Sequence, residues 1–347
     1  MTKTARPQYG MLDVAKFLCA LLILFYHFFS EHGSLPGILE EALSTYAIAV
    51  ALFMTISGFL LFSKLENIPE RHQRWLAVRK QAWRTLRIYL LWSIVYILYT
   101  VSRWDFSNLS VTFVLLQLRQ WIFNSTFYTI WFMPALAIGV VAAFWLTELA
   151  PKYVAGILAA VLYIAGALML TYRGVGNLIP GYAGITTFAE TWLGGARGWL
   201  FFAIPLLLVG RAVAKGQANQ KTGWVLWAIL SVVCVVLMLA EALVLRHFFG
   251  STGIDMTILM PVTALCILKF LISVQIPAGA YQLWMRKMSV LIFVTQRIFL
   301  SVLPTYIGEY VFANGYVAFA FCVGGTVLFC AGIILLSRKV KPLKLLY

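Results

Sequence analysis

Met11–Ser30 reads MLDVAKFLCALLILFYHFFS. The ten residues between Lys16 and His27 are all apolar or aromatic. A run of about 20 mostly apolar residues is long enough to cross a bilayer as a helix, and 12–30 meets that length. It does not read as a secretion signal: Asp13 and Lys16 lie inside it, and no small-residue cleavage site directly follows Phe29. A retained first membrane helix is the better reading. Nine more candidate spans follow, at about 45–63, 84–102, 128–147, 153–171, 198–214, 224–245, 255–275, 288–304 and 316–337.

The rest of the composition agrees. Of the 347 residues, 62% are apolar and 11% charged, with a mean hydropathy of +0.89. Soluble globular proteins run about 45–50% apolar and about 25% charged. That gap excludes an ordinary soluble enzyme, a secreted disulfide scaffold and a disordered chain. The expected fold class is all-α: a polytopic membrane bundle of about ten transmembrane helices. It is expected as one integral-membrane domain over 1–347, with no appended soluble domain. The 12 Trp suit two membrane interfaces. The five cysteines lie in apolar runs without a CxxC pair. They read as small buried hydrophobes rather than disulfides or metal ligands, and no metal is expected.

Charge sets the orientation. With the N-terminus inside, the inner segments carry 19 of the 27 Lys and Arg and the outer segments five. Lys16, Lys269 and Arg297 fall within spans. This split favours cytoplasmic termini under the positive-inside rule. The net charge of +15 then follows from topology and anionic inner lipids, with no need for nucleic acid. Two outer segments are long, 103–127 and 172–197. The first contains VTFVLLQLRQWIF, which suits a helix lying flat at the interface. Each is either a ligand-binding loop or a plain connection.

Ionisable groups at membrane depth require a reason. His27 is either a core histidine bonded to a neighbouring helix or a neutral imidazole available as a general base. Lys16 precedes it by 11 residues, about three turns and about 16 Å along one helix face. Lys16 either snorkels to the interface or pairs with Asp13, three residues earlier. Arg84 and Arg87 form an i, i+3 pair with forks suited to phosphate, or serve as positive-inside anchors. Arg297 lies about nine residues into its span and needs a partner or a wet cavity. Lys269 is expected to snorkel, Glu241 and His247 to reach water, and His32 and His72 to lie in loops. Ser57-Gly58 reads as a small-residue helix contact rather than a nucleophile. No HExxH, phosphate-binding loop or GxSxG is present.

MLDVAKFLCALLILFYHFF resembles the first helix of the acyltransferase 3 family of integral membrane O-acyltransferases. FMTISGFLLF, RKQAWRTLRIYLLW, YTIWFMPAL, RGWLFFAIPLLLVGRAVAK and MSVLIFVTQRIFL resemble later segments of that family, in order along nearly the whole chain. The resemblance implies transfer of an acyl group, usually acetyl, from cytoplasmic acetyl-CoA or another acyl-CoA. The acceptor is a hydroxyl, commonly of a cell-surface glycan or lipid-linked sugar. It implies His27 as the catalytic residue and Lys16, Arg84 and Arg87 as donor-binding groups. It also implies a multi-pass protein of a bacterial cytoplasmic membrane, with acyl-CoA as co-substrate and no permanently bound cofactor. His27 then acts as base or forms an acyl-histidine.

Two departures from the family pattern stand out. Lys16 replaces the usual Arg and loses bidentate geometry. Gln296 stands roughly where many members carry a second His, and it cannot exchange a proton. Arg297 is then expected to position the thioester oxygen or the acceptor, and Trp192 and Arg197 to bind the acceptor. Two other readings suit the same residues: a transporter or flippase, and an inactive relative.

Overall fold

The computed structural model describes residues 9–32, 46–216, 223–249, 255–274, 276, 279–308 and 311–347. Among these, the regular structure is helical throughout. The helices are α1 (Gly10–His32), α2 (Tyr46–Leu65), α3 (Arg71–Ser102), α4 (Val111–Phe123), α5 (Phe132–Leu149) and α6 (Lys152–Met169). They continue as α7 (Tyr182–Trp192), α8 (Ile204–Gly216), α9 (Trp224–Phe249), α10 (Met260–Ser273), α11 (Ala280–Ile307) and α12 (Gly315–Leu336).

Eight of the described helices are long and apolar enough to cross a membrane: α1, α2, α3, α5, α6, α9, α11 and α12. The expected span at 198–214 corresponds to a widened turn, Trp199–Ala203, continued without a break by α8, and that at 255–275 to the shorter α10. The expected 84–102 span is only the second half of α3, which begins 13 residues earlier at Arg71. Of the two long outer segments, 103–127 holds α4 and 172–197 holds α7, and these two helices touch.

α2 is the central helix, with 78% of its span buried. It packs most extensively on α8, and glycine makes that approach possible. A Cβ on Gly58 would sit 2.3 Å from the Leu207 carbonyl oxygen, and one on Gly210 would sit 2.1 Å from that of Thr55. No side chain fits there, so the two backbones meet directly, as small-residue contacts between membrane helices do. Ser57 donates to the Phe53 carbonyl in its own helix at 2.6 Å. Its expected packing role fits this environment.

α1 lies against α11. At one end, Arg286 of α11 grips Asp13 of α1 through two bonds, Nε to Oδ1 at 2.8 Å and Nη2 to Oδ2 at 2.6 Å. At the other end Arg297 of α11 meets His27 of α1. Both pairings advance in the same direction along the two chains, so α1 and α11 run parallel. The Asp13 carboxylate is therefore held by Arg286 rather than by Lys16 alone.

Glu241, His32 and His72 sit otherwise than expected. Glu241 is half-buried and held inside the protein: it accepts from the Ile258 and Leu259 N–H groups at 2.5 and 3.0 Å, in the turn leading into α10. Such N–H groups at a helix start lack partners within the helix. His32 lies in the last turn of α1, and its Nε2 sits 3.1 Å from the Leu300 carbonyl. His72 is in the first turn of α3. Lys269 stacks on Trp227, its Nζ 4.3 Å from the ring centroid.

Candidate active site

A cavity of about 220 Å³ lies at the end of the bundle where α1 finishes. α1 supplies Tyr26, His27, Ser30 and Glu31, and α2 supplies Tyr46. The approach to α5 supplies Tyr128, Thr129 and Trp131. Arg197, Asp255 and Arg297 complete the polar wall, and Ile23, Ala47, Val50, Phe202 and Phe293 the apolar one. Glu31 and Arg197 reach its open side, with side chains 31% and 42% exposed.

Helical spacing sets the first half of this wall. His27 and Glu31 are four residues apart, hence one above the other on the same face of α1. The second half depends on α11. Arg297 is 1% exposed, and it reaches the cavity just before a widened turn, Ile298–Val302. Such turns inside α-helices occur often at functional sites. Tyr96 of α3 donates to the Val294 carbonyl 2.5 Å away, one turn before Arg297, and so fixes this part of α11. Another widened turn, Trp199–Ala203, follows Arg197 closely. Before it, Gly194 and Gly195 take positive φ of 80° and 67°, a conformation that favours glycine. They reverse the chain out of α7 and deliver Arg197 to the wall.

Two charge clusters organise the cavity. In the first, Arg297 Nη1 forms an ion pair with Glu31. Nη2 lies 2.9 Å from His27 Nδ1. The guanidinium carbon stands 4.4 Å from the centroid of the Tyr128 ring, within cation–π range. Tyr128 donates to Glu31 Oε1 at 3.1 Å. Burial pushes the Tyr128 phenol above its ordinary pKa, against the Arg297 charge that pulls it down, so it remains a proton donor. In the second cluster, Arg197 pairs with Asp255, and Tyr46 donates to Asp255 Oδ1 at 2.8 Å. Tyr46 also stacks on Tyr26, with centroids 3.7 Å apart. Two cations and two carboxylates face one cavity, each paired.

Of the expected site residues, His27, Arg297 and Arg197 line this cavity. Gln296 does not: it is buried, and its Nε2 donates back to the Phe293 carbonyl at 3.2 Å. Trp192 is also elsewhere, stacked under Arg119 and against Phe123. Lys16, Arg84 and Arg87 gather at the opposite end of α1, where Lys16 feels the charges of Asp13, Arg286 and Arg84. Arg87 Nε is buried and has no hydrogen-bond partner among the described residues. Glu31, Tyr46, Tyr128, Trp131 and Asp255 are wall residues that the sequence reading missed. Only Glu31 had a signal, its i, i+4 spacing from His27. Among the described residues no group of three or more His, Cys, Asp or Glu is placed to hold a metal ion.

Comparison with known proteins adds the family. Residues 9–336 match the acyltransferase domain that defines the acyltransferase 3 family. An amino-acid racemase of Enterococcus faecalis is 25% identical over 266 residues, covering 76% of this chain and 37% of the racemase. A second from the same organism is 25% identical over 277 residues, 78% of this chain and 36% of its own. A serine/alanine racemase of Enterococcus gallinarum is 25% identical over 260 residues, 72% and 35% respectively. The chain thus spans little more than a third of the length of these curated relatives. No solved structure matches. With nearly every residue inside the matched region, its apolar helices and its first-helix histidine included, the chain belongs to the acyltransferase 3 family of membrane acyltransferases.

Proposed function

We propose that this protein is an O-acyltransferase, most simply an O-acetyltransferase. It moves an acyl group from cytoplasmic acyl-CoA to a hydroxyl of a glycan or lipid-linked sugar at the surface of a bacterial cytoplasmic membrane. The observation that carries this reading is His27, half-buried on the wall of a polar cavity at the end of an apolar bundle and held by Arg297. A neutral imidazole there serves as the base. It takes the proton from the acceptor hydroxyl while the oxygen attacks the thioester carbonyl.

The donor is assigned to the opposite end of α1. Lys16, Arg84 and Arg87 offer cations to the phosphates of the donor, and the unpartnered Arg87 Nε–H is one that a phosphate oxygen would satisfy. The 11 residues from Lys16 to His27 separate the phosphates from the reacting carbon by about 16 Å, a gap for the thioester arm to span. Asp13 supports the donor end by fixing Arg286. Gln296 supports the other end through packing on α11. Arg197 and Asp255, beside the aromatic rings of Tyr46 and Trp131, form the acceptor wall. Aromatic rings beside paired charges suit an uncharged, hydroxyl-rich molecule.

The test is acetyl-CoA turnover by purified protein in nanodiscs, with a glycan extract of the host membrane as acceptor. Wild type should release CoA, and His27→Ala should lower the rate by about 100-fold or more. Equal rates would remove His27 from the chemistry. Acceptor movement across the bilayer with no CoA release would mark a transporter instead.

A further inference from the structure

The contact between Arg297 and His27 determines more than position. A guanidinium carries N–H donors and no acceptor. Its Nη2 lies 2.9 Å from His27 Nδ1, so Nδ1 is the accepting nitrogen. A neutral imidazole has one lone pair and one N–H. With the lone pair on Nδ1, the proton sits on Nε2. An imidazolium is excluded while the contact lasts, because two N–H groups and two positive charges would face each other.

We propose that Arg297 is a cap on the catalytic lone pair: it covers His27 Nδ1 in the resting site, and only a bound acceptor uncovers it. The proposal rests on the acyltransferase reading. It adds the atom that takes the proton and the group that withholds it. Arg297 is here a positioning residue, acting through His27.

The surroundings suit a cap with a short stroke. Arg297 is 1% exposed, so it has little room to wander. Nη1 is anchored by Glu31 and the guanidinium is backed by the Tyr128 ring. The smallest motion releases Nδ1 while Nη1 keeps Glu31. The cavity gives a reason for the device. At about 30 Å³ per water, its 220 Å³ holds several waters. An open lone pair there, beside a thioester, would favour hydrolysis over transfer. A water reaches only a few of the wall's polar groups at once, too little to offset the lost Arg297 contact. An acceptor bound by Tyr46, Trp131, Arg197 and Asp255 does, and spends that binding on uncovering the base.

The step balances as follows. The acceptor O–H bond breaks and its proton passes to Nδ1. The oxygen bonds to the thioester carbonyl carbon, the C–S bond breaks, and the departing CoA thiolate takes the proton back from His27. During the interval in which His27 is cationic, the Glu31 carboxylate holds Arg297 away and offsets the added charge.

The test uses the full chain in nanodiscs with ¹⁵N-labelled histidine, the His27 signal being assigned by its loss in His27→Gln. Wild type should show a protonated Nε2 and a bare Nδ1. Arg297→Met should lose that preference and raise acceptor-free CoA release from acetyl-CoA severalfold, while acceptor-dependent release falls. Arg297→Lys, which keeps a donor, should release less CoA without acceptor than Arg297→Met does and regain part of the Nε2 proton preference. If Arg297→Met does not fold, Glu31→Gln removes the anchor and should move both readouts the same way. A wild-type proton on Nδ1, or no rise in acceptor-free release in either variant, overturns the cap. Should wild type release no CoA with any acceptor, the acyltransferase reading fails, and the ¹⁵N tautomer alone then upholds or overturns the Arg297 contact.

Discussion

Arg197 and Trp192 are only five residues apart, yet the fold sends them to different places. Arg197 faces the cavity and pairs with Asp255. Trp192 ends α7 and stacks with Arg119, its guanidinium carbon 5.6 Å from the ring centroid. The two glycines between them reverse the chain. Substitutions should separate their roles. Loss of a charged hydrogen-bonding group costs about 1.5–3 kcal/mol, which is about 10- to 100-fold in affinity. Arg197→Met should therefore raise the KM for the acceptor by about tenfold or more, with the KM for acetyl-CoA unchanged. Trp192→Ala should leave both within about twofold. Initial-rate kinetics with each substrate varied in turn would decide. An acceptor KM unmoved in Arg197→Met would take Arg197 out of the acceptor wall.

At the scale of elements, the α2–α8 crossing holds the centre of the bundle. Hydrophobic burial gives helices little reason to associate within lipid, so close backbone packing carries the contact. A methyl on Gly58 would meet backbone atoms of Leu207 at 2.3 to 2.9 Å, and backbone cannot rotate away as a side chain can. Gly58→Val should destabilise the protein by about 1–3 kcal/mol, the usual cost of overpacking. Gly156 of α6 is the control, because a Cβ there meets nothing within 4 Å. Gly156→Ala should leave the unfolding midpoint in detergent unchanged. A Gly58→Val midpoint equal to wild type would mean that the two helices can part without loss. The parallel α1–α11 pair is the second structural element of the site, clamped by Asp13–Arg286 at one end and His27–Arg297 at the other.

Across the whole molecule, the donor-assigned cations and the cavity lie at opposite ends of α1. The proposed reaction draws its donor from one side of the membrane and its acceptor from the other, and the positive-inside rule predicts the Lys16 end in the cytoplasm. Single-cysteine labelling of intact cells tests this. Asp105→Cys, in the turn after α3, should react with a membrane-impermeant maleimide. Lys339→Cys, just past α12, should react only after permeabilisation. The reverse pattern would invert the orientation and place the cavity inside. The five native cysteines are buried or half-buried, so they give little background.

The sequence by itself determined the membrane-helical class, the place of most spans, and the candidates His27, Arg297 and Arg197. Spans are legible because bilayer thickness fixes their length, and His27 and Arg297 because an ionisable group in hydrocarbon is costly enough to be conspicuous; Arg197 is legible only as an acceptor candidate in a long outer segment. Small-residue packing placed Ser57-Gly58 at a helix contact. The sequence rules could not show that α10 is short, because hydropathy averages over a window and does not register where a chain turns. Nor could they supply Asp255, Tyr46 and Tyr128, ordinary residues at interfaces or loops with no energetic oddity until a cavity surrounds them. The pairing of His27 with Arg297 was hidden for a related reason. It joins residues 270 positions apart, and only the parallel docking of α11 on α1 decides which polar group each one meets.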